Sequence, residues 1–265
     1  MSERTSYTPG TPCWVELGTP DIEATQAFYG DLFGWEIPEQ PNSAQLGGYR
    51  RAKKHGKDVA GVSPLQQEGQ PPVWSTYVSV EDAAATLARV SEAGGQVIVE
   101  PMDVVGLGTM GVFADPTGAV CGVWQPGTFA GAELVNEPAA FGWNELGTRE
   151  VEASKAFYGA VFGWGFEEHD MGDMGTYVEW QRDGQQIGGM MDITGRVPDE
   201  VPNHWLVYFG VEDTDAAAEQ VAASGGGVAF GPVDVPAGRF AIVHDPAGAM
   251  FAVMQPSEET LARMP

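Results

Sequence analysis

Two glutamates stand where a buried carboxylate could take part in chemistry. Glu16 follows Trp14 by two residues, and Glu145 follows Trp143 by two residues. Side chains of a β-strand alternate between its faces, so each glutamate shares a face with its tryptophan. A carboxylate beside tryptophan is withdrawn from water, which predicts a raised pKa and a role as general base or hydrogen-bond acceptor for a ligand. The alternative is a structural glutamate that pairs with an arginine or bonds across the sheet.

The two glutamates occupy matching positions of an internal repeat. Residues 14–19 (Trp-Val-Glu-Leu-Gly-Thr) recur as residues 143–148 (Trp-Asn-Glu-Leu-Gly-Thr). Other matched pairs are 27–30 with 156–159 (Ala-Phe-Tyr-Gly), 33–35 with 162–164 (Phe-Gly-Trp), 115–119 with 245–249 (Asp-Pro-x-Gly-Ala) and 125–126 with 255–256 (Gln-Pro). The offset stays near half the chain length, which indicates a duplicated domain and not a solenoid.

Each copy contains the same order of predicted elements. Residues 14–18 alternate in polarity and predict a strand. A helix is predicted next, with Thr19 as its N-cap, Pro20 at its first position and Gly34 at its end. The following predicted strands run through Glu36, residues 48–53 and residues 59–64. The pattern then restarts with a strand, a helix and three more strands, so each copy reads βαβββ–βαβββ.

These motifs make each copy resemble a domain of the vicinal oxygen chelate family, the superfamily of glyoxalases, bleomycin resistance proteins and extradiol dioxygenases. The resemblance covers nearly the whole chain, twice. It implies an α+β fold of two tandem domains, each joining two βαβββ units into a U-shaped mixed sheet around a cavity, with helices outside. The expected boundaries are domain one at 1–128, a linker at 129–140, domain two at 141–258 and a tail at 259–265. The family includes metal-dependent enzymes and metal-free proteins that sequester antibiotics, so the fold alone does not choose the function.

The resemblance also implies where a metal would be held, at cavity-facing strand positions that carry His, Gln or Glu in metal-dependent members. The aligned residues here are Trp14, Ser75, Gly122 and Gly61 in the first copy, and Trp143, Leu206, Ala252 and Gly189 in the second. Most of these side chains cannot coordinate a metal, and a lone serine is a weak ligand, so we expect no metal and no other cofactor. His204 would become a ligand if the alignment slips by two residues, but a histidine at the cavity rim is the preferred interpretation.

Alternation along the strands predicts what lines the two cavities instead. The predicted ligand-binding residues are Trp14, Ser75, Tyr77, Gly122 and Trp124 in the first copy, and Trp143, His204, Leu206, Tyr208, Ala252 and Met254 in the second. Glu16 and Glu145 are the predicted catalytic residues. Aromatic walls, small residues that open space and one carboxylate are typical of a pocket for a flat or hydrophobic ligand with one polar anchor.

The charge of the chain argues against two classes of partner. The sequence has 13 basic and 37 acidic residues and a formal net charge of -24. Such a surface repels phosphate backbones and anionic lipid, so we expect no nucleic-acid and no membrane partner. The polar N-terminus and two isolated cysteines predict a cytoplasmic protein. The internal duplication already supplies a pair of domains, which predicts a monomer or a homodimer, with the monomer preferred.

Three functions remain as hypotheses. The first is metal-independent binding of a hydrophobic or aromatic small molecule, such as an antibiotic or a biosynthetic intermediate, in sequestration or an accessory role. The second is a metal-independent enzyme of isomerase, hydroxylase or lyase type, with Glu16 or Glu145 as its base. The third is a metal-dependent isomerase or dioxygenase, which requires ligands outside the aligned positions. Turnover separates the first from the second, and bound metal separates the third from both.

Overall fold

Both units of the first copy join one mixed sheet. The computed structural model describes residues 2–41, 43–67, 69–172 and 175–263. The strands are β1 (Ser2–Glu3), β2 (Pro12–Thr19), β3 (Arg50–Lys54), β4 (Lys57–Pro64), β5 (Val73–Ser79), β6 (Gln96–Asp103), β7 (Gly108–Ala114) and β8 (Val120–Pro126). Apart from β1, they form a seven-stranded sheet in the order β3-β4-β2-β5-β8-β7-β6. β2 pairs in parallel with β4 and antiparallel with β5, and β5 pairs in parallel with β8.

The second copy forms an eight-stranded sheet of the same design. Its strands follow β9 (Leu134–Val135), which pairs with β1, and are β10 (Phe141–Thr148), β11 (Gly165–Asp170), β12 (Thr176–Arg182), β13 (Gln185–Asp192), β14 (His204–Gly210), β15 (Gly227–Val235), β16 (Gly238–His244) and β17 (Met250–Pro256). The order is β11-β12-β13-β10-β14-β17-β16-β15. The strand predicted through Glu36, which would match β11, is only an isolated bridge to Lys53. Pro38 follows two residues later and has no N–H group with which to extend a ladder.

Five α-helices complete the described parts of the chain. They are α1 (Ile22–Phe33), α2 (Ala83–Glu92), α3 (Val151–Phe162), α4 (Thr214–Ala223) and α5 (Glu258–Arg263). The predicted N-cap at Thr19 is wrong, because Asp21 accepts the N–H of Ala24 at 3.0 Å and Thr19 is the last residue of β2. Gly34 ends α1 with a φ of 66°, as predicted. None of the helices in the described ranges is long and apolar enough to cross a membrane.

The two copies share their apolar cores through these helices. Tyr29 of α1 packs against Trp74 of its own sheet and against Phe251 of the second sheet, with ring centroids 5.6 Å apart in both pairs. On the other side, Phe157 of α3 packs against Phe113 of the first sheet. α1 also contacts α4, and α2 contacts α3. The helix layers therefore lie against both sheets, and the domains are joined by a common core.

Each Asp-Pro-x-Gly turn also fixes the helix of the opposite copy. One oxygen of Asp115 accepts the backbone N–H groups of its own turn, and the other accepts the hydroxyl of Tyr158 at 3.0 Å. Asp245 repeats the arrangement and accepts the hydroxyl of Tyr29 at 3.2 Å. Both aspartates are almost fully buried. The repeated turns thus lock the two domains to each other in a reciprocal manner.

Candidate functional site

The predicted lining residues of the first copy fall on neighbouring rows of its sheet. Cross-strand pairing gives one row with Gly61, Glu16 and Ser75, and a second row with Trp14, Tyr77 and Gly122. Trp124 lies one row further on, beside Met110. Paired residues of a sheet point to the same face. Val15 and Leu17 point to the opposite face and are fully buried, so the alternation predicted for β2 agrees with the structure.

The second copy presents the equivalent rows. Gly189, Glu145 and Leu206 form one row, and Trp143, Tyr208 and Ala252 form the next. Met254 lies one row further on, beside Phe240. His204 is the first residue of β14 and pairs with Gly147. It lies one row beyond the row of Leu206 and two rows from that of Tyr208. Its Nδ1 lies 2.8 Å from the carbonyl oxygen of Pro202, which places the imidazole at the strand end.

Glu16 is a half-buried residue whose carboxylate accepts a hydrogen bond from one hydroxyl group. The Ser63 Oγ donates to Glu16 Oε1 at 3.0 Å from the neighbouring strand. Burial raises the pKa of Glu16 to about 7, and the bond from Ser63 opposes this shift. Within the described ranges Glu16 belongs to none of the ion pairs. A carboxyl group of this kind is only partly ionised near neutral pH and can both accept and donate a proton.

Glu145 differs because two tyrosines bind it. The Tyr208 hydroxyl donates to Glu145 Oε1 at 3.0 Å, and the Tyr177 hydroxyl also donates to this carboxylate. Burial raises the pKa of Glu145, and both hydroxyl groups oppose the shift. Tyr177 in turn accepts the indole N–H of Trp143 at 2.8 Å. These contacts fix the orientation of Glu145 within a hydrogen-bonded network. They favour a role in which Glu145 positions the neighbouring side chains.

Two tyrosines that the sequence did not single out cover Gly61 and Gly189, one glycine in each sheet. A Cβ atom on Gly189 would lie 1.8 Å from the Tyr177 hydroxyl oxygen, and one on Gly61 would lie 2.3 Å from that of Tyr49. Tyr49 accepts the indole N–H of Trp14 at 2.9 Å, as Tyr177 does with Trp143 in the second copy. The glycines are therefore required for close packing of a tyrosine.

Gly122 likewise makes room for an aromatic ring of the protein. A Cβ atom there would lie 2.2 Å from Cδ1 of Tyr77. Gly122 was predicted to open space for a ligand, but its face is covered by Tyr77. At the matching position of the second copy, Ala252 is paired with Tyr208, whose hydroxyl turns to Glu145. One glycine-to-alanine difference thus accompanies a different tyrosine arrangement in each domain.

The first cavity is filled at one end by a residue of the predicted linker. The ring of Phe129 packs edge-on against Trp14 at 4.9 Å and against Trp124 at 5.9 Å. Its carbonyl oxygen accepts the indole N–H of Trp124 at 2.9 Å. The Arg51 guanidinium lies 5.4 Å from the centre of the Phe129 ring. The predicted aromatic wall of the first copy is therefore occupied by the protein itself.

The matching end of the second copy is open. A cavity of about 300 Å³ lies between the concave face of the second sheet, the linker and α5. Its lining includes Trp143, Tyr208 and Met254 from the sheet, Asn136, Glu137 and Pro138 from the linker, Glu212 after β14, and Leu261 from α5. Leu206, Tyr208 and Ala252 form a small apolar cluster behind it, with Phe240 and Ile242 packed alongside. The structure thus brings three predicted ligand-binding residues into one cavity.

The residues present do not fit the metal site that the resemblance implies. The neighbours of Glu16 in its row are Gly61 and Ser75. Those of Glu145 are Gly189 and Leu206. A divalent metal needs several nitrogen or oxygen donors that converge on one point. Each row offers one carboxylate, with at most one serine, so neither concave centre assembles such a set.

A different group of donors lies at the edge of the second sheet. Glu167, His169 and Glu179, on β11 and β12, each offer one ligand atom, and these atoms lie within 4.8 Å of one another. The side-chain amides of Gln181 and Gln186 already donate to the two carboxylates. These side chains could hold a divalent cation. The only sequence signal for them is Glu-x-His within an alternating segment.

Replacing Glu16 with glutamine is expected to flatten the dependence of stability on pH. The carboxyl group titrates near 4.5 in the unfolded chain and near 7 in the folded chain. Between these values the folded state keeps a proton that the unfolded state has lost, so stability falls as pH rises. The slope from one proton is at most about 1.4 kcal/mol per pH unit. Urea unfolding from pH 5 to pH 8 measures the difference, and identical profiles for wild type and Glu16→Gln would contradict the assignment.

Comparisons with known proteins agree with the architecture. The model of the Glyoxalase/Bleomycin resistance protein/Dioxygenase superfamily matches residues 13–121 and 140–253. CFP32 of Mycobacterium tuberculosis (strain CDC 1551 / Oshkosh), provisionally named a glyoxylase, is 40% identical over 263 residues, which are 98% of this chain and 100% of that protein. DnrV of Streptomyces peucetius, named an anthracycline biosynthesis protein, is 39% identical over 268 residues, covering 95% of each chain.

A solved structure with the same fold is the Mn(II)-bound glyoxalase from Novosphingobium aromaticivorans. It matches with a TM-score of 0.62 over 96% of this chain and 89% of that chain. The sequences are 19% identical, so this likeness shows the fold alone.

Proposed function

Because the chain belongs to the Glyoxalase/Bleomycin resistance protein/Dioxygenase superfamily, we propose that it binds a hydrophobic or aromatic small molecule in its second domain without a metal. The open cavity of about 300 Å³ beside Trp143, Tyr208 and Met254 carries this proposal. Its volume lies at the lower end of the range for small-molecule pockets. Aromatic and thioether side chains favour a flat or apolar ligand.

The proposed role is sequestration of a small molecule or an accessory role in its metabolism. The relative named for anthracycline biosynthesis supports a place beside small-molecule chemistry. The central rows of the two sheets do not supply a set of metal ligands, which distinguishes this chain from family members that depend on a metal. We further propose a cytoplasmic protein, since Cys13 and Cys121 are buried free thiols. We propose a monomer or homodimer without nucleic-acid or membrane partners, since the chain is strongly acidic.

Calorimetric titration with neutral flat aromatics tests the proposal. Acridine at pH 8 is a suitable first probe because it is flat, neutral and small. We expect saturable binding of one molecule per chain. Failure of acridine and of other neutral two- and three-ring aromatics to bind would reject the proposal.

Replacing Phe129 with alanine is expected to create a second binding site. The change removes the ring that packs on Trp14 and Trp124, so the first domain gains an open aromatic wall. We expect acridine stoichiometry to rise from one to two per chain, with a loss of stability of about 1.5–3 kcal/mol. Phe166→Ala, which removes an exposed phenylalanine of the second domain, is the control and should leave the stoichiometry at one. An unchanged stoichiometry in Phe129→Ala would show that this ring does not block the first cavity.

A second candidate function is metal-independent catalysis with Glu16 as the base. The observation in its favour is the pKa of about 7 that burial confers on this carboxyl group. Access to the row of Glu16 is restricted by Phe129, so binding in the second domain ranks first. If a ligand is turned over, the rate should follow a group that titrates near neutral pH. Glu16→Gln should then abolish turnover while leaving acridine affinity unchanged, and a variant with full activity would exclude Glu16.

A further inference from the structure

Glu137 belongs to a linker segment that both domains hold in place. The N–H of Ala139 donates to the carbonyl of Gly210 at 2.8 Å, and the N–H of Gly210 donates to the carbonyl of Ala140 at 3.0 Å. From the first domain, the indole N–H of Trp35 donates to the Ala139 carbonyl at 2.7 Å. Ala139 has a φ of 68°, which is costly for alanine and persists only where its surroundings impose it. The backbone is therefore fixed beside the point where the Glu137 side chain begins.

One carboxylate oxygen of Glu137 is buried without a hydrogen bond. Its Oε2 atom is shielded from solvent and has no partner within the described parts of the chain. Leaving a buried acceptor unsatisfied costs about 1–3 kcal/mol, and more when the group is charged. Such an atom in a native structure calls for a cause, such as a ligand group that it receives. Glu137 lines the second-domain cavity, so a donor carried by a ligand could satisfy it.

The cavity carries negative charge only. Glu137 and Glu212 are the charged residues of its lining, and no lysine, arginine or histidine is found among the described residues that line it. Trp143 and Tyr208 add aromatic faces, which attract cations as well as flat rings. The net charge of -24 raises the local concentration of cations around the whole protein. The electrostatic conditions therefore favour a positively charged ligand.

In the described part of the first domain, different residues stand at the places that match the opening and Glu137. The N–H of Gly10 donates to the Ser79 carbonyl at 2.7 Å, which matches the linker contact of the second domain. Two residues before that contact, Thr8 stands at the place of Glu137. Phe129 fills the corresponding end of the first cavity. The glutamate with one shielded oxygen thus belongs to the domain with the open cavity, and threonine stands at the matching position of the other.

We infer that the second-domain cavity binds a flat, apolar molecule that carries a protonated amine or another cationic nitrogen, whose N–H group donates to Glu137. This inference rests on the proposed binding function and narrows it to one class of ligand. Trp143 and Tyr208 contact the flat body of the ligand, and Glu137 selects its charge. Glu212, which is exposed, contributes attraction at the rim and no buried contact.

Two probes of similar shape and different charge test the inference. At pH 8, 9-aminoacridine is a cation and acridine is neutral. Calorimetry on the full-length protein in about 150 mM salt, where exposed charges are largely screened, should show at least tenfold tighter binding of the cation. Glu137→Gln should reduce this preference to about twofold or less, mainly by weakening the binding of the cation. Glu92→Gln, at an exposed position of α2 outside the cavity lining, is the matched charge control and should retain the preference.

The outcomes separate this inference from the binding function beneath it. Equal affinity of the two probes in the wild-type protein, or full cation preference in Glu137→Gln, would overturn the inference and leave the binding function standing. Failure of both probes to bind would overturn the inference, and failure of the other neutral two- and three-ring aromatics as well would overturn the binding function. Thermal melting checks that the variant is folded. Glu137→Thr, which introduces the residue of the first domain, serves as a second variant and should give the same loss of preference.

Discussion

Replacing Asp115 with alanine is expected to lower the free energy of unfolding by about 4 kcal/mol, since it leaves several buried donors unsatisfied. Asp115 accepts hydrogen bonds from the N–H and hydroxyl of Thr117, the N–H of Ala119 and the hydroxyl of Tyr158. Its exposed fraction is 3%, so water cannot replace the lost acceptor. Urea unfolding monitored by far-ultraviolet circular dichroism measures the effect.

Matched variants separate the turn from the contact between domains. Tyr158→Phe leaves Asp115 the bonds of its own turn but removes the bond between copies. It also removes the acceptor of the Trp205 indole N–H, which donates to the same hydroxyl at 2.9 Å, so it should cost about 2–3 kcal/mol. Asp245→Ala should behave like Asp115→Ala, since it makes the equivalent contacts with Tyr29. Asp199→Ala, at an exposed position, should have almost no effect. A loss below about 1 kcal/mol for both buried aspartates would show that these turns do not lock the domains.

Replacing Trp143 with alanine is expected to weaken acridine binding by about 30-fold. Loss of an aromatic wall removes both buried apolar area and ring packing, which together amount to about 2 kcal/mol. Calorimetric titration of the variant measures this change. Trp143→Phe keeps an aromatic ring but loses the bond to Tyr177, so a smaller effect there shows that the wall matters more than the hydrogen bond.

The internal repeat supplies the control for this variant. Trp14→Ala removes the matching tryptophan of the first domain, which is covered by Phe129. We expect it to lower stability and to leave acridine affinity unchanged. The opposite pattern, in which Trp14→Ala abolishes binding and Trp143→Ala does not, would place the site in the first domain.

Local patterns predicted most of the fold from the sequence. The repeated motifs indicated two α+β domains, and the alternation of Trp14 and Glu16 with Val15 and Leu17 placed the two faces of β2. One predicted strand, through Glu36, is only an isolated bridge, and a further error lies at an element end. Asp21, and not Thr19, caps α1, because a cap depends on which side chain reaches the free N–H groups. Such ends are decided by one hydrogen bond, which periodicity does not report.

The candidate site was harder to predict because contacts distant in sequence shape it. The tyrosines bonded to the two tryptophans lie 35 residues from Trp14 and 34 residues from Trp143. Phe129 lies in a segment with the composition of a linker, and nothing local indicates that its ring fills a cavity. The sequence predicts similar linings for the two cavities, but in the structure one is filled by Phe129 and the other is open. The difference arises from segments outside the sheets, namely the residues around Phe129 and those around Glu137, whose sequences are not repeated in the other copy.

The most direct test of metal-free binding in one domain is acridine titration of the full-length protein before and after removal of metals with a chelator. We predict one acridine per chain, with the same affinity in both preparations and no change on addition of Mn²⁺. Binding that disappears after chelation and returns with Mn²⁺ would contradict the metal-free site. Two acridine molecules per wild-type chain would contradict the assignment of binding to the second domain alone.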